Sequence, residues 1–353
     1  MDVDSLYYEA IDLLKRLISI PSHSKEEDGT ADALKQYLTD KGLSPFRKGN
    51  NVWVLSAPWD PDKPVILLNS HLDTVKPVTG WTLDPCMPVE EDGKLFGLGS
   101  NDAGAPLVCL LTAFLLLTQR TQPYNLIFLA SAEEEISGKN GIESVLSDLP
   151  PIDLAVVGEP TALQAAVAEK GLMVLDAVVS GKSGHAAREE GENAIYKALP
   201  VIEWFRNKQF PKKSALLGRV KMNLTVIQSG TQHNVIPDEC RMTIDVRSNE
   251  CYSNQELFDR IAAECGCEIK ARSFRLNSSF IPVDHPLVQR AVLLGSQIFG
   301  SPTLSDQALL SCPSLKIGPG DSARSHSADE FVFLSEIREA IDFYTKLLNN
   351  LKL

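Results

Sequence analysis

The chain has 353 residues, 44% hydrophobic and 23% charged, with a formal net charge of −12. That length exceeds what one hydrophobic core usually fills, so two domains are expected. The acidic balance disfavours nucleic acid and anionic membrane as partners.

The seven cysteines, at 86, 109, 240, 251, 265, 267 and 312, are odd in number and scattered, which points to a reducing compartment. Cys265-x-Cys267 is the one close pair, and its spacing is not that of a usual zinc or redox motif. The start, Met1-Asp2-Val3-Asp4, lacks the basic and apolar regions of a signal peptide, and a cytoplasmic location is expected.

In chain order, Tyr7 to Ile20 carries apolar residues at helical spacing, stopped by Pro21. Ser24 and Glu27 read as a capping box for a helix reaching about Leu38. Val52–Leu55 and Val65–Asn69 read as strands, the second apolar enough to be buried on both faces. The run Leu107–Leu117 is too short to span a bilayer and reads as a buried helix beginning near Gly104. A strand at Asn125–Ala130, a helix at Gly141–Leu146 and a strand at Asp153–Val157 follow. This alternation predicts an α/β sheet with helices on its faces.

The pattern changes near Gly171. Strands at 172–180, 219–228, 241–247 and 267–274, with helices at 193–205 and 255–264, give the βαββαβ order of a ferredoxin-like domain. Helices at 286–299 and 335–351 then return to the first pattern. The expected organisation is a catalytic domain of residues 1–170 and 284–353, interrupted by a second domain over 171–283.

The chemistry-bearing residues lie just past the predicted strand ends, where open α/β sheets place ligands. They are His71 and Asp73, Asp102 after a glycine-rich turn, Glu133-Glu134-Glu135, Glu159, and His326 after Gly318-Pro319-Gly320-Asp321. Imidazole nitrogen and carboxylate oxygen are the ligands of hydrolytic zinc. One such residue at a strand end is ordinary; five successive sites in one chain are not. In an extended segment, residues 71 and 73 lie on one side, so Asp73 is expected to accept the second imidazole N–H of His71.

The segments Ser70-His71-Leu72-Asp73-Thr74-Val75, Gly97-x-Gly-x-x-Asp102, Glu134-Glu135, Gly158-Glu159-Pro160-Thr161, Gly184-His185-Ala186 and Asn234-Val235-Ile236-Pro237 resemble, in order, the acetylornithine deacetylase/succinyl-diaminopimelate desuccinylase family of zinc aminoacylases and exopeptidases. The resemblance spans nearly the whole chain. It implies a zinc-exopeptidase-like domain of mixed sheet and helices, with the inserted ferredoxin-like domain serving as lid and dimerisation domain. It also implies two Zn2+ per subunit, with Co2+ or Mn2+ as substitutes. His71 and Glu159 would hold one ion, Glu135 and His326 the other, and Asp102 would bridge. Glu134 would be the general base. His185 would donate to the oxyanion, in the partner subunit's site of a homodimer. Asn234 and Arg247 would recognise a substrate carboxylate.

Two positions depart from the family pattern. A glutamate, Glu133, stands where an aspartate usually precedes the pair, and Ala103-Gly104 replaces the commoner Met-Lys. His23, His233 and His285 fall in loops or at a domain junction, and structural roles suit His23 and His285. The reaction implied is hydrolysis of a small N-acyl amino acid, acetylornithine-like and placed in arginine synthesis. A di- or tripeptidase of the same fold is the alternative, and a catalytically inactive dimeric binding protein is the alternative of another class.

Overall fold

The computed structural model describes residues 3–353. Two compact units are present. The first holds the chain up to Val167 with Phe280–Phe299 and Ser305–Leu353; the second holds Ala168–Ser279 and Gly300–Leu304.

The larger sheet runs, in spatial order, Phe46–Lys48, Asn51–Leu55, Asn125–Ser131, Val65–His71, Leu154–Val157, Ser314–Lys316, Ala165–Glu169 and Ser279–Phe280, with Ile298–Ser301 pairing to Ala165–Glu169. Val65–His71 lies parallel to both Asn125–Ser131 and Leu154–Val157, and Ser314–Lys316 is parallel to the latter. Asn51–Leu55 is antiparallel to Asn125–Ser131, which makes the sheet mixed. Every residue of Val65–His71 and Asn125–Ser131 is buried, as near-continuous apolar runs require. The parallel strands finish together, with His71 opposite Ser131 and Asn69 opposite Val157. Chemistry placed after each strand therefore collects along one edge.

Helix Ala105–Leu117 is apolar on nearly all sides and packs against Leu334–Leu348 and Val3–Ile18. An all-round apolar helix is stable only in such a position. The stretch Ser100–Leu117 has the length and apolarity of a membrane-crossing helix, yet most of it is buried within the protein. Its first residues are not α-helical: Asp102 has φ −120° and ψ 97°, and Ala103 has φ −122° and ψ 37°.

The second unit contains a four-stranded antiparallel sheet ordered Lys221–Ser229, Glu239–Arg247, Leu172–Ser180 and Glu268–Ala271. With helices Ala194–Asn207 and Asn254–Glu264, this is the ferredoxin-like order. Alternation in Leu172–Ser180 buries Met173, Leu175, Ala177 and Val179 in a core with Val201, Phe205, Leu257 and Ile261.

Several local expectations need correction. Ser24 and Glu27 do not form a capping box. The helix Asp28–Asp40 has no side-chain cap; Ser24 Oγ donates to Asp73 Oδ2 at 2.7 Å, and Glu27 accepts Lys25 N, Glu133 N and Asn50 Nδ2. Long-range polar demand outweighs the local motif. The helix from Pro286 ends at Leu293, where Gly295 at φ +103° turns the chain into strand Ile298–Ser301. Gly184–His185 forms a short strand paired with Val235–Ile236, which the sequence did not announce.

Candidate metal centre

His71 ends a fully buried strand, and its ring orientation is set from behind. Nδ1 lies 2.8 Å from the main-chain carbonyl of Asp73 and 3.5 Å from that residue's Oδ1. The expected partner was the Asp73 carboxylate; the carbonyl is nearer. A carbonyl can only accept, so Nδ1 carries the proton and Nε2 is left as the donor atom for a metal. The carboxylate has other work. Its Oδ1 accepts Glu134 N at 3.0 Å, and its Oδ2 accepts Glu135 N at 3.1 Å and the Ser24 hydroxyl. Asp73 thus holds both the imidazole and the turn that follows the neighbouring strand.

On the open side, His71 Nε2 lies 3.3 Å from Asp102 Oδ1, 3.9 Å from Glu159 Oε1 and 4.0 Å from Glu134 Oε2. His326 Nε2 lies 3.0 Å from Glu135 Oε2 and 3.6 Å from Asp102 Oδ2. Asp102 thus turns one oxygen to each imidazole. Donor atoms of His71, Glu134 and Glu159, and of His71, Asp102 and Glu135, form two groups compact enough for an ion. Two ligands about 2.0–2.1 Å from a tetrahedral zinc lie about 3.3 Å apart, so the spacings and the nitrogen–oxygen chemistry fit a divalent cation.

The electrostatics point the same way. Burial, then the charges of neighbouring carboxylates, push Glu159 up to about 8 and Glu135 up to about 7, and raise Glu134 well above its usual range. Burial alone would lower His71. Hydrogen bonds to Asp102 and Asp73 and the charges of Glu134 and Glu159 hold it well above its ordinary value instead. Burial likewise opposes ionisation of Asp102, and the His71 hydrogen bond and charge bring it below the usual range. Carboxylates crowded in this way take up protons unless cations are present.

Glu133 stands apart from the cluster. It adopts φ 54°, and its carboxylate accepts Asn140 N and Nδ2.

The His326 segment is fastened to the Asp102 turn. Asn101 is fully buried; its Oδ1 accepts Asp321 N at 3.0 Å and its Nδ2 donates to Asp321 O at 3.1 Å. Gly320 sits at φ +85°, and a Cβ there would fall 2.4 Å from Asn101 Oδ1, so only glycine fits. Arg324 forks onto both oxygens of Glu336 at 3.0 and 2.6 Å and lies over the Phe331 and Phe333 rings. His326 itself has φ 56° and a half-exposed side chain.

In the second unit, His185 and Asn234 come together on the ribbon formed by Gly184–His185 and Val235–Ile236, where Ala186 N donates to Asn234 O. Both residues are exposed. His185 Nδ1 accepts Ala187 N at 3.1 Å, which leaves Nε2 as the donor. Arg247 lies at the last position of strand Glu239–Arg247, and its guanidinium is paired with both oxygens of Asp245 at 2.8 and 3.0 Å.

Sequence reasoning missed Glu330, Asn101, Asp306 and Lys316. Asp306 is buried, accepts the Ser131 hydroxyl at 2.5 Å, and is pushed by burial up to about 6. Lys316 is buried in its strand, and its charge acts on Glu159. A lysine flanked by Leu315 and Ile317 was the one legible signal among these.

Residues 67–350 match the model of peptidase family M20/M25/M40. The chain belongs to that family. It is 28% identical to acetylornithine deacetylase of Proteus mirabilis, with 96% of each chain covered. It is 26% identical to succinyl-diaminopimelate desuccinylase of Xylella fastidiosa, covering 97% of this chain and 98% of that one. Its fold is similar to a dinuclear metal-binding M20 peptidase of Bacillus subtilis, at a TM-score of 0.74 and 20% identity over 98% of each chain. As an M20 member the chain is a metal-dependent hydrolase of the amidohydrolase/peptidase type.

Proposed function

We propose that the chain hydrolyses the amide bond of a small N-acyl amino acid, with two zinc ions held by His71, Glu159, Glu135 and His326 and bridged by Asp102. The observation that carries this reading is the Asp102 carboxylate, which faces His71 with one oxygen and His326 with the other. When bound, the ions would acidify a water and polarise the scissile carbonyl. Glu134 is the proton carrier: it takes a proton from the attacking water and returns one to the leaving amine. Its placement supports that role, because its main-chain N–H is held by Asp73 while its carboxylate lies 4.0 Å from His71 Nε2, beside the proposed ions. Substrate-side roles for His185 (oxyanion donor) and for Asn234 and Arg247 (carboxylate recognition) belong to the same proposal. Arg247 would have to leave Asp245 to serve it.

Acetylornithine-like substrates, and with them a place in arginine synthesis, are favoured by the full-length likeness to acetylornithine deacetylase. A succinyl substrate and a peptide are the competing readings. The test is amine release by zinc-loaded protein from N-acetylornithine, N-acetylcitrulline, N-succinylornithine, N-succinylcitrulline, succinyl-diaminopimelate and two dipeptides. Turnover of one acylated amino acid supports the proposal. Turnover of dipeptides alone replaces it with the peptidase reading, and inertness of protein carrying two zinc ions rejects both.

Homodimerisation through the second unit completes the proposal. It is supported by exposed Ile195, Tyr196 and Leu199 on one helix and by Val226 and Ile227 on the edge strand Lys221–Ser229. Sedimentation should then give a dimer that Leu199→Glu weakens; a monomeric wild-type protein rejects it. The seven cysteines are all free thiols, which supports a cytoplasmic location, checked by cell fractionation.

A further inference from the structure

Glu330 lies outside the donor set, yet it is 2% exposed and its carboxylate is fully engaged with main chain. Oε1 accepts Asn101 N at 2.8 Å and Asp102 N at 2.9 Å, and Oε2 accepts Gly99 N at 3.2 Å. Its own carbonyl accepts Gly97 N at 3.0 Å. These N–H groups need an outside acceptor, because they open the helical segment after Gly99, where no intrahelical carbonyl precedes them. A buried carboxyl group in this place satisfies several at once.

Glu330 also sits four residues after His326. The segment 321–330 is therefore tied to the Asp102 turn on both sides of His326: through Asn101 to Asp321, and through Glu330 to Gly99, Asn101 and Asp102. His71, Glu134, Glu135 and Glu159, by contrast, are set by the ends of the parallel strands.

We propose that Glu330 is a positioning residue that fixes Asp102 and His326 relative to one another, so that the second metal ion can bind beside the first. The proposal rests on the two-metal reading given above. It separates Glu330 from a merely structural acceptor by what its loss does: the second binding step weakens selectively, because only that step uses His326, which lies on the segment Glu330 ties down, whereas His71 and Glu159 are held by strand ends. Outer residues that orient metal ligands commonly change affinity by about 10- to 100-fold.

The experiment titrates Co2+, followed by visible absorption, and Zn2+, followed by calorimetry, into metal-free wild type, Glu330→Gln and Glu330→Asp, with urea unfolding of each metal-free protein measured separately. Wild type should take up two ions. Glu330→Asp withdraws the carboxylate by one methylene, and its second step should weaken by about 10- to 100-fold while the first changes little. Glu330→Gln keeps one oxygen for Asn101 and Asp102 but turns an NH2 toward Gly99 N–H, so its loss should be intermediate. This milder variant preserves the test if the aspartate variant fails to fold. Two unchanged steps in the variants overturn the proposal, as does equal weakening of both steps. Fewer than two ions on wild type overturns the two-metal reading itself, and this inference with it.

Discussion

Asp73→Asn is the most informative single change. The carboxylate is 1% exposed and uses one oxygen for Glu134 N and the other for Glu135 N and Ser24 Oγ. An amide has one acceptor oxygen. Whichever way it turns, its NH2 faces one of the two main-chain N–H groups, which is left without an acceptor. A buried unsatisfied donor costs about 1–3 kcal/mol, so the metal-free protein should lose about that much stability in urea. Ser24→Ala removes a single hydroxyl bond and should cost less, which makes it the control. Turnover should fall by about 10- to 100-fold as well, because the displaced turn carries Glu134 and Glu135.

The stability effect has a pH signature. Asp73 is held below its ordinary value: burial opposes ionisation, but His71, the Ser24 hydroxyl and the turn N–H groups overcome it. For a carboxylate whose folded value is depressed, the stabilisation is present above the unfolded value of about 3.9 and is lost as pH falls through the folded value. The difference between wild type and variant should thus persist at neutral pH and shrink in strong acid. An Asp73→Asn protein with wild-type unfolding midpoint and wild-type turnover would refute the reasoning.

Two further expectations concern the centre. Glu134→Gln should lower kcat by about 10²- to 10⁴-fold while the protein still binds metal, as the loss of a proton carrier requires; a kcat within a few-fold of wild type would remove Glu134 from that role. Gly320→Ala places a Cβ against Asn101 Oδ1 at a left-handed φ, and should cost about 1–3 kcal/mol in urea unfolding; an unchanged midpoint would mean that the turn relaxes freely.

Much of the fold was legible because burial writes a plain pattern. Val65–Asn69 and Asn125–Ala130 read as strands from their unbroken apolar runs, and Leu172–Ser180 is half-buried with period two. The candidate donors His71, Glu134, Glu135 and Glu159 were legible because each stands at or just past such a strand, whereas Asp102 and His326 were marked by the glycine-containing turns before them. What escaped was polar and long-range. Ser24 and Glu27 satisfy a local helix motif, yet serve Asp73 and the Glu133 turn, about 49 and 106 residues away in sequence. Glu330 left no periodic trace because its partners are main-chain N–H groups of a turn 228 to 231 residues earlier. The short strands Val89–Glu91, Lys94–Phe96 and Phe331–Phe333 form a separate three-stranded sheet, but three-residue segments carry too little alternation to be recognised.

The strand order also dictates a schedule for folding. Ser314–Lys316 lies between Leu154–Val157 and Ala165–Glu169, so the middle of the larger sheet has a gap until residues beyond 314 leave the ribosome. The second unit, made earlier and almost contiguous in sequence, can close its core first. His326 and Glu330 follow the gap-filling strand directly. The sheet is thus completed by the same late stretch of chain that carries His326, one of the proposed ligands, and a nascent chain stalled before residue 314 lacks both.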